Sequence, residues 1–249
     1  MEICYNMIRF VCLNGFIAIH TIIFCLWAFL LALIDKNGRL IHLYVARPWA
    51  KTILRVCGIK VMVNGQENIN ARLPRIYMTN HQSYFDIFAL LAYLPLDFKF
   101  IVKQELMKIP LFGFAMRRAG YIGIERKDPR KAAHSIDEAA KKIKSGASVV
   151  IFPEGTRSID GRLQSLKRGG FKLALKSKCD IVPVTINDSY RIVPKGSLKI
   201  NKGFFSMYIG KPISTTGYDK RNVTQLMELV KDAILVQMDH KRYQYVEGS

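Results

Sequence analysis

The chain divides by its apolar and polar positions into one long uncharged stretch and a series of short runs. From Phe10 to Ile34, 25 residues pass without a formally charged side chain, interrupted only by the mildly polar Asn14, His20 and Thr21. At about 1.5 Å of rise per residue, a helix of that length crosses the hydrocarbon core of a bilayer. The run is longer than the roughly 7 to 15 apolar residues of a cleaved signal peptide, and no small-x-small site ends it, so a retained membrane anchor is expected. Asp35-Lys36-Asn37-Gly38 then signals a turn. Arg39 to Cys57 resumes an apolar and basic helical pattern broken by Pro48, which fits either a second, interfacial helix or an ordinary helix packed on a globular domain.

From Ile59 the period changes. Runs at Ile59 to Val63, Ile76 to Thr79, Tyr121 to Glu125, Ser148 to Phe152, Ile181 to Ile186 and Phe205 to Ile209 have strand length and turn-like borders. Helical spacing fills several of the gaps, at Phe85 to Tyr93 and most clearly at Pro129 to Lys144. There Ala132, Ile136, Ala139, Ala140 and Ile143 share a face, Pro129 suits the first turn and Gly146 the end. A further helix is expected over Thr224 to Met238. Strands alternating with helices predict an α/β domain with a central mixed, largely parallel sheet flanked by helices. The expected division is an N-terminal hydrophobic helical pair over residues 1–57 and an α/β catalytic domain over 58–249.

Composition narrows the class. The 249 residues carry 38 Lys and Arg against 19 Asp and Glu, a formal charge of +19, yet half of them are apolar. Disordered chains combine high charge with poor hydrophobicity, so this one folds. The surplus charge predicts an anionic partner. Nucleic acid is a poor candidate, because the cations are spread along the chain without a zinc-finger spacing or an RNP-like aromatic strand. The five cysteines are odd in number and lack metal-ligand spacing, which argues against a disulfide framework or a zinc site. Arg39, Arg47, Lys51 and Arg55 follow the apolar stretch with few acids between them. The positive-inside tendency therefore puts the following domain in the cytoplasm, anchored to the inner membrane, with its basic segment meeting anionic lipids.

The candidate chemistry sits where strand patterns end. Asn80-His81-Gln82-Ser83-Tyr84-Phe85-Asp86 lies at a strand-to-helix junction, a place where α/β folds open ligand clefts. Within one helix His81 and Asp86 would point about 140° apart. With His81 at the non-helical entrance, the Asp86 carboxylate can fold back onto one imidazole nitrogen and leave the other free as a base. Each residue also has a plainer reading, His81 as a buried histidine and Asp86 as an acid at a positive helix end. Ser83 lacks the strained elbow of a nucleophile, so capping or substrate contact fits it better. Phe152-Pro153-Glu154-Gly155-Thr156-Arg157-Ser158 follows another strand, and its glycine, hydroxyls and arginine suit a phosphate. Arg126-Lys127 follows a third. Three strand ends thus bring a histidine-aspartate pair and two arginines toward one edge of the sheet.

N-H-x-S-x-x-D, then G-x-I-x-I-x-R, F-P-E-G-T-R-S and Ile181-Val182-Pro183-Val184, in this order, resemble the four motifs of the glycerolipid acyltransferases. The likeness covers roughly residues 59–211, and the third motif most resembles the 1-acylglycerol-3-phosphate O-acyltransferases, here of bacterial type. The resemblance implies acyl transfer from acyl-CoA or acyl carrier protein to lysophosphatidic acid, giving phosphatidic acid, with no metal or other cofactor. It implies His81 as general base and Asp86 as its orienting acid. Arg126 and Arg157 would hold the glycerol phosphate, with Glu154, Gly155 and Thr156 in the acceptor site. It further implies Lys103 near the thioester, against a simple surface lysine, and Val182-Pro183-Val184 along the acyl path. Gly123 and Glu125 in the second motif, and Leu166-Lys167-Arg168-Gly169, depart from common forms and blur acceptor and acyl preference. Another lysolipid acceptor, or a non-catalytic basic module that binds anionic lipid, stands as the alternative.

Overall fold

The computed structural model describes residues 2–125 and 128–244. Its centre is a seven-stranded sheet in the order β1-β7-β6-β2-β5-β3-β4. The strands are β1 (Ile59–Asn64), β2 (Ile76–Thr79), β3 (Phe98–Lys103), β4 (Ile122–Ile124), β5 (Ser148–Ile151), β6 (Ile181–Asn187) and β7 (Gly203–Ile209). All neighbours pair in parallel except β6 and β7. The sheet is therefore mixed and largely parallel, as the alternation of strand and helix patterns predicts. Pro183 is tolerated in central β6 because the β7 ladder begins only at Val184, beyond which the Pro183 carbonyl accepts from Gly210 N at 2.8 Å.

The six strand patterns omit one strand. Phe98-Lys-Phe-Ile-Val-Lys is β3, and the lysine within it hides the run. Lys99 is nevertheless 4% exposed, its ammonium held by Asp97 Oδ1 at 2.8 Å. A charge can stand in a buried position when an opposite charge, here the half-buried Asp97, meets it there.

Helices cover both faces. On one, α3 (Arg47–Val56) and α4 (Phe85–Tyr93) bury Ala50, Ile53, Phe85 and Leu90 against Tyr77, Phe98 and Val182. On the other, α6 (Pro129–Lys144), α7 (Arg168–Ser177) and α8 (Val223–Gln244) bury Ala139, Ile143, Phe171, Leu226 and Val230 against Ile76, Val149 and Ile181. Both α4 and α6 have the predicted bounds. Asp128 starts α6 by accepting from Arg130 N and Lys131 N. Of the two readings of the segment before the sheet, the packed helix is observed. It comprises α2 (Arg39–Ile41), a π-helical turn (His42–Ala46) and α3, and it shares the core beneath the sheet.

The N-terminal helix α1 (Glu2–Leu31) is long and apolar enough to cross a membrane by length and composition. It lies along the α/β domain. Near its start, Arg9 donates to the Ile200 carbonyl at 2.7 Å. Midway, Trp49 donates to Thr21 Oγ1 at 3.1 Å, and just beyond its end Arg118 donates to the Ala32 carbonyl. Its other flank, with Ile8, Val11, Ile19, Ile23 and Leu30, is exposed. α5 (Phe112–Arg118) closes the same side, Phe114 meeting Phe29 at 5.3 Å between ring centres.

Candidate active site

β2 ends at Thr79 and α4 begins at Phe85, so His81 lies in the short loop between them. The buried Asn80 side chain fixes that loop. Its amide donates to the Ile186 carbonyl and accepts from Ile186 N, both at 2.7 Å, continuing the β2–β6 pairing past the strand end. Asp86, in the first turn of α4, is fully buried. Its Oδ2 meets His81 Nδ1 at 2.8 Å and accepts from Gln82 N at 2.7 Å and Ser83 N at 2.9 Å. Two backbone amides near a helix start thus offset the cost of burying the carboxylate. The imidazole also stacks on Phe152, ring centres 3.9 Å apart and planes 23° from parallel. With Nδ1 committed to Asp86, Nε2 has no hydrogen-bond partner among the described residues, and the side chain is 14% exposed. An imidazole held on one nitrogen and open on the other can take a proton from a bound hydroxyl.

The loop after β5 meets this histidine. Glu154 is 2% exposed; Oε1 accepts from His81 N at 2.6 Å and Oε2 from Gln164 N at 2.8 Å. Burial pushes its carboxyl up to about 7. Both oxygens hold backbone, so Glu154 joins two loops where the resemblance implies a contact with the acceptor. Ser158 N donates to the His81 carbonyl at 2.7 Å and completes that junction. Gly155 turns the loop at φ +74°, and a Cβ there would meet Lys167 Nζ at 3.1 Å. Thr156 is exposed at the cavity rim. The Arg157 guanidinium lies over the Tyr84 ring, 3.7 Å from its centre, with Nη1 buried and without a hydrogen-bond partner among the described residues. A buried guanidinium donor with nothing to bind suits an anion arriving from outside. Lys103 ends β3 at the cavity wall and pairs with Glu105 Oε1 at 3.0 Å. Arg126 lies outside the described residues.

Several of these groups line a cavity of about 380 Å³ between the sheet and the helices. His81, Phe152, Gly155, Thr156 and Arg157 are among its walls. The body is apolar, walled by Phe24 and Cys25 of α1, Trp49 of α3, Phe88 and Leu91 of α4, Phe100 and Val102 of β3, and Met116 of α5. Val182 and Val184 are not among its walls. Central strand β6 is covered on both faces, and both valines are fully buried in the core rather than along an acyl path. Ser83 is likewise turned inward, its hydroxyl donating to the Val193 carbonyl at 3.0 Å.

Sequence reasoning misses three members of the site. Phe152 and Tyr84 stand inside the motifs but carry no mark of the ring contacts they make. Ser189, fully buried, donates its hydroxyl to Asp86 Oδ1 from 103 residues away and belongs to no motif.

The comparisons with known proteins agree with one another. A family model described as Acyltransferase matches residues 60–187. A chloroplastic 1-acyl-sn-glycerol-3-phosphate acyltransferase of Arabidopsis thaliana is 40% identical over 73% of this chain and 51% of its own length. The 1-acyl-sn-glycerol-3-phosphate acyltransferase of Borreliella burgdorferi is 31% identical over 78% of this chain and 77% of its own. Against the plant chloroplast relatives the chain thus spans about half their length. In fold it is similar to the crystal structure of PlsC, the 1-acyl-sn-glycerophosphate acyltransferase of Thermotoga maritima, with a TM-score of 0.83, 24% identity, and 97% and 98% of the two chains covered. Motif order, sheet topology and these matches together place the chain in the 1-acylglycerol-3-phosphate O-acyltransferase family of acyltransferases.

Proposed function

We propose that the protein transfers a fatty acyl group from a thioester, on coenzyme A or acyl carrier protein, to the sn-2 hydroxyl of 1-acylglycerol 3-phosphate. The product is phosphatidic acid, for phospholipid synthesis. One observation carries the reading: a histidine oriented by a buried aspartate lines a largely apolar cavity together with an arginine that has an unpartnered buried donor. His81 Nε2 takes the proton of the acceptor hydroxyl as its oxygen attacks the thioester carbonyl. Asp86 stabilises the imidazolium that forms. When the tetrahedral intermediate collapses, the C–S bond breaks and the imidazolium returns its proton to the departing thiolate. No metal or acyl-enzyme enters this sequence.

Arg157, with Arg126, holds the glycerol phosphate, Thr156 contacts the acceptor, and Lys103 at the wall meets the developing oxyanion on leaving Glu105. The apolar body of the cavity takes an acyl chain, whose burial contributes roughly 0.8 kcal/mol per CH₂. The exposed flank of α1 sits in the inner membrane, with the sheet on the cytoplasmic side. Exposed Arg39, Lys51 and Arg55 offer a contact for anionic headgroups.

One assay tests the reading. Detergent-solubilised protein is given radiolabelled lysophosphatidate, or the same lysolipid without its phosphate, and both donors. The wild type acylates the phosphorylated acceptor. His81→Ala loses about 10²- to 10⁴-fold in turnover with the thermal unfolding midpoint retained, and Arg157→Ala raises the acceptor KM. Wild-type turnover in His81→Ala, or equal rates on the two acceptors, overturns it.

A further inference from the structure

We propose that Ser189 is a positioning residue for acyl transfer, acting on the reaction only through Asp86 and His81. This rests on the reading of His81 as general base.

Asp86 is fully buried, so its two oxygens depend on protein donors. Oδ2 has three partners, His81 Nδ1 and the amides of Gln82 and Ser83, whereas Oδ1 has one among the described residues, the Ser189 hydroxyl. A carboxylate held through one oxygen can still turn about its Cβ–Cγ bond. Pinning the second oxygen removes that freedom and fixes the direction in which Oδ2 meets the imidazole. Without Ser189, Oδ1 becomes a buried acceptor lacking a donor, which is unfavourable. The group can recover part of that cost by turning Oδ1 toward the donors now held by Oδ2, and the imidazole turns with it.

The fold delivers Ser189 deliberately to this place. After β6, Asp188 takes a left-handed conformation at φ 68°, unusual for a residue other than glycine, and the chain tightens into the 3₁₀ turn Ser189–Arg191. The same segment is tied to the histidine loop on both sides of the serine, by Asn80 at Ile186 and by the Ser83 hydroxyl at Val193. With the backbone fixed before and after it, the Ser189 hydroxyl has a defined place, and Asp86 is what it meets. Gln82 Oε1, at 3.5 Å, is the only other side-chain acceptor near it among the described residues and stands at the limit of a hydrogen bond.

A double-mutant cycle on the full chain separates positioning from bulk stability. Wild type, Ser189→Ala, His81→Ala and the double variant are assayed with lysophosphatidate and acyl-CoA, alongside their unfolding midpoints. Ser189→Ala is expected to lower kcat about 10- to 100-fold, the scale of a small misplacement at a reacting centre. The acceptor KM stays within about two-fold, and Ser189→Thr, which keeps the hydroxyl, recovers much of the rate. In the His81→Ala background the same serine change has no further effect, since its only route to the chemistry is gone. A wild-type kcat in Ser189→Ala, a loss carried mainly by KM, or an equal fold loss in both backgrounds overturns the proposal. The cycle decides even where Thr fails to pack. Full activity of His81→Ala overturns the functional reading and this inference together. A wild-type rate in Ser189→Ala beside a disabled His81→Ala overturns the inference alone.

Discussion

Glu154 joins the two halves of the site by holding backbone, and it does so as a carboxyl that burial raises from an ordinary value near 4.5 to about 7. Below pH 4.5 both the folded and the unfolded chain carry the proton. Between 4.5 and about 7 the unfolded chain releases it while the folded chain keeps it, so stability falls as pH rises, and it levels off above the folded value. The difference corresponds to about 3 kcal/mol. Glu154→Gln removes this titration. The wild-type minus variant difference in unfolding free energy should therefore decline from pH 4.5 to about 7.5, and a flat difference would count against the buried carboxyl as its source. His81 and Arg157 are legible in the sequence because each lies in a loop that follows a strand, and Asp86 because it opens the helix after one. Their partners are less so. Glu154 answers backbone amides, which a sequence does not display, and Ser189 reaches Asp86 through tertiary folding alone.

Among the elements, α1 shows how a helix with an apolar stretch on every side still has one face that packs. Ala28 and Ala32, four residues apart, are buried against Ile41, Val45 and Ala119, and their small side chains let α1 approach the α2 segment closely. The uncharged run predicts a membrane helix but cannot mark this stripe, because the hydrophobicity contrast that identifies a buried face is missing when lipid replaces water. Regular amphipathic patterns fare better. α6 was fully legible from its alanine and isoleucine spacing, whereas β3 was hidden by Lys99, whose neutralising neighbour Asp97 is recognisable only once the fold is known. Ala28→Leu should force α1 outward and cost about 1–3 kcal/mol by overpacking. Ile23→Leu on the exposed flank, where Ile23 is 55% exposed, should leave the unfolding midpoint in detergent unchanged. Equal effects of the two substitutions would mean that the small-residue stripe does not hold the helix.

At the scale of the molecule, the attachment of α1 along the domain decides how the protein can meet a bilayer. Contacts from Arg9 to Ala32 span 23 residues of rise, about 35 Å, which is more than the hydrocarbon thickness. A helix held to the domain over that distance cannot cross the bilayer while the sheet stays in water. Lying in one leaflet with its exposed flank toward the acyl chains, it keeps every contact and brings the cavity wall formed by Phe24 and Cys25 to lipid depth. Helices α6, α7 and α8, on the far face of the sheet, then remain in water. Spin labels placed singly at Ile8, Ile19 and Leu30, after replacing exposed Cys4 and Cys12 by Ala, read this directly in anionic vesicles. All three depths should fall within one leaflet, on the same side of the midplane. Depths running from one interface through the midplane to the other would mean that α1 leaves the domain and spans, and the cavity would then lose its α1 wall in the membrane-bound enzyme.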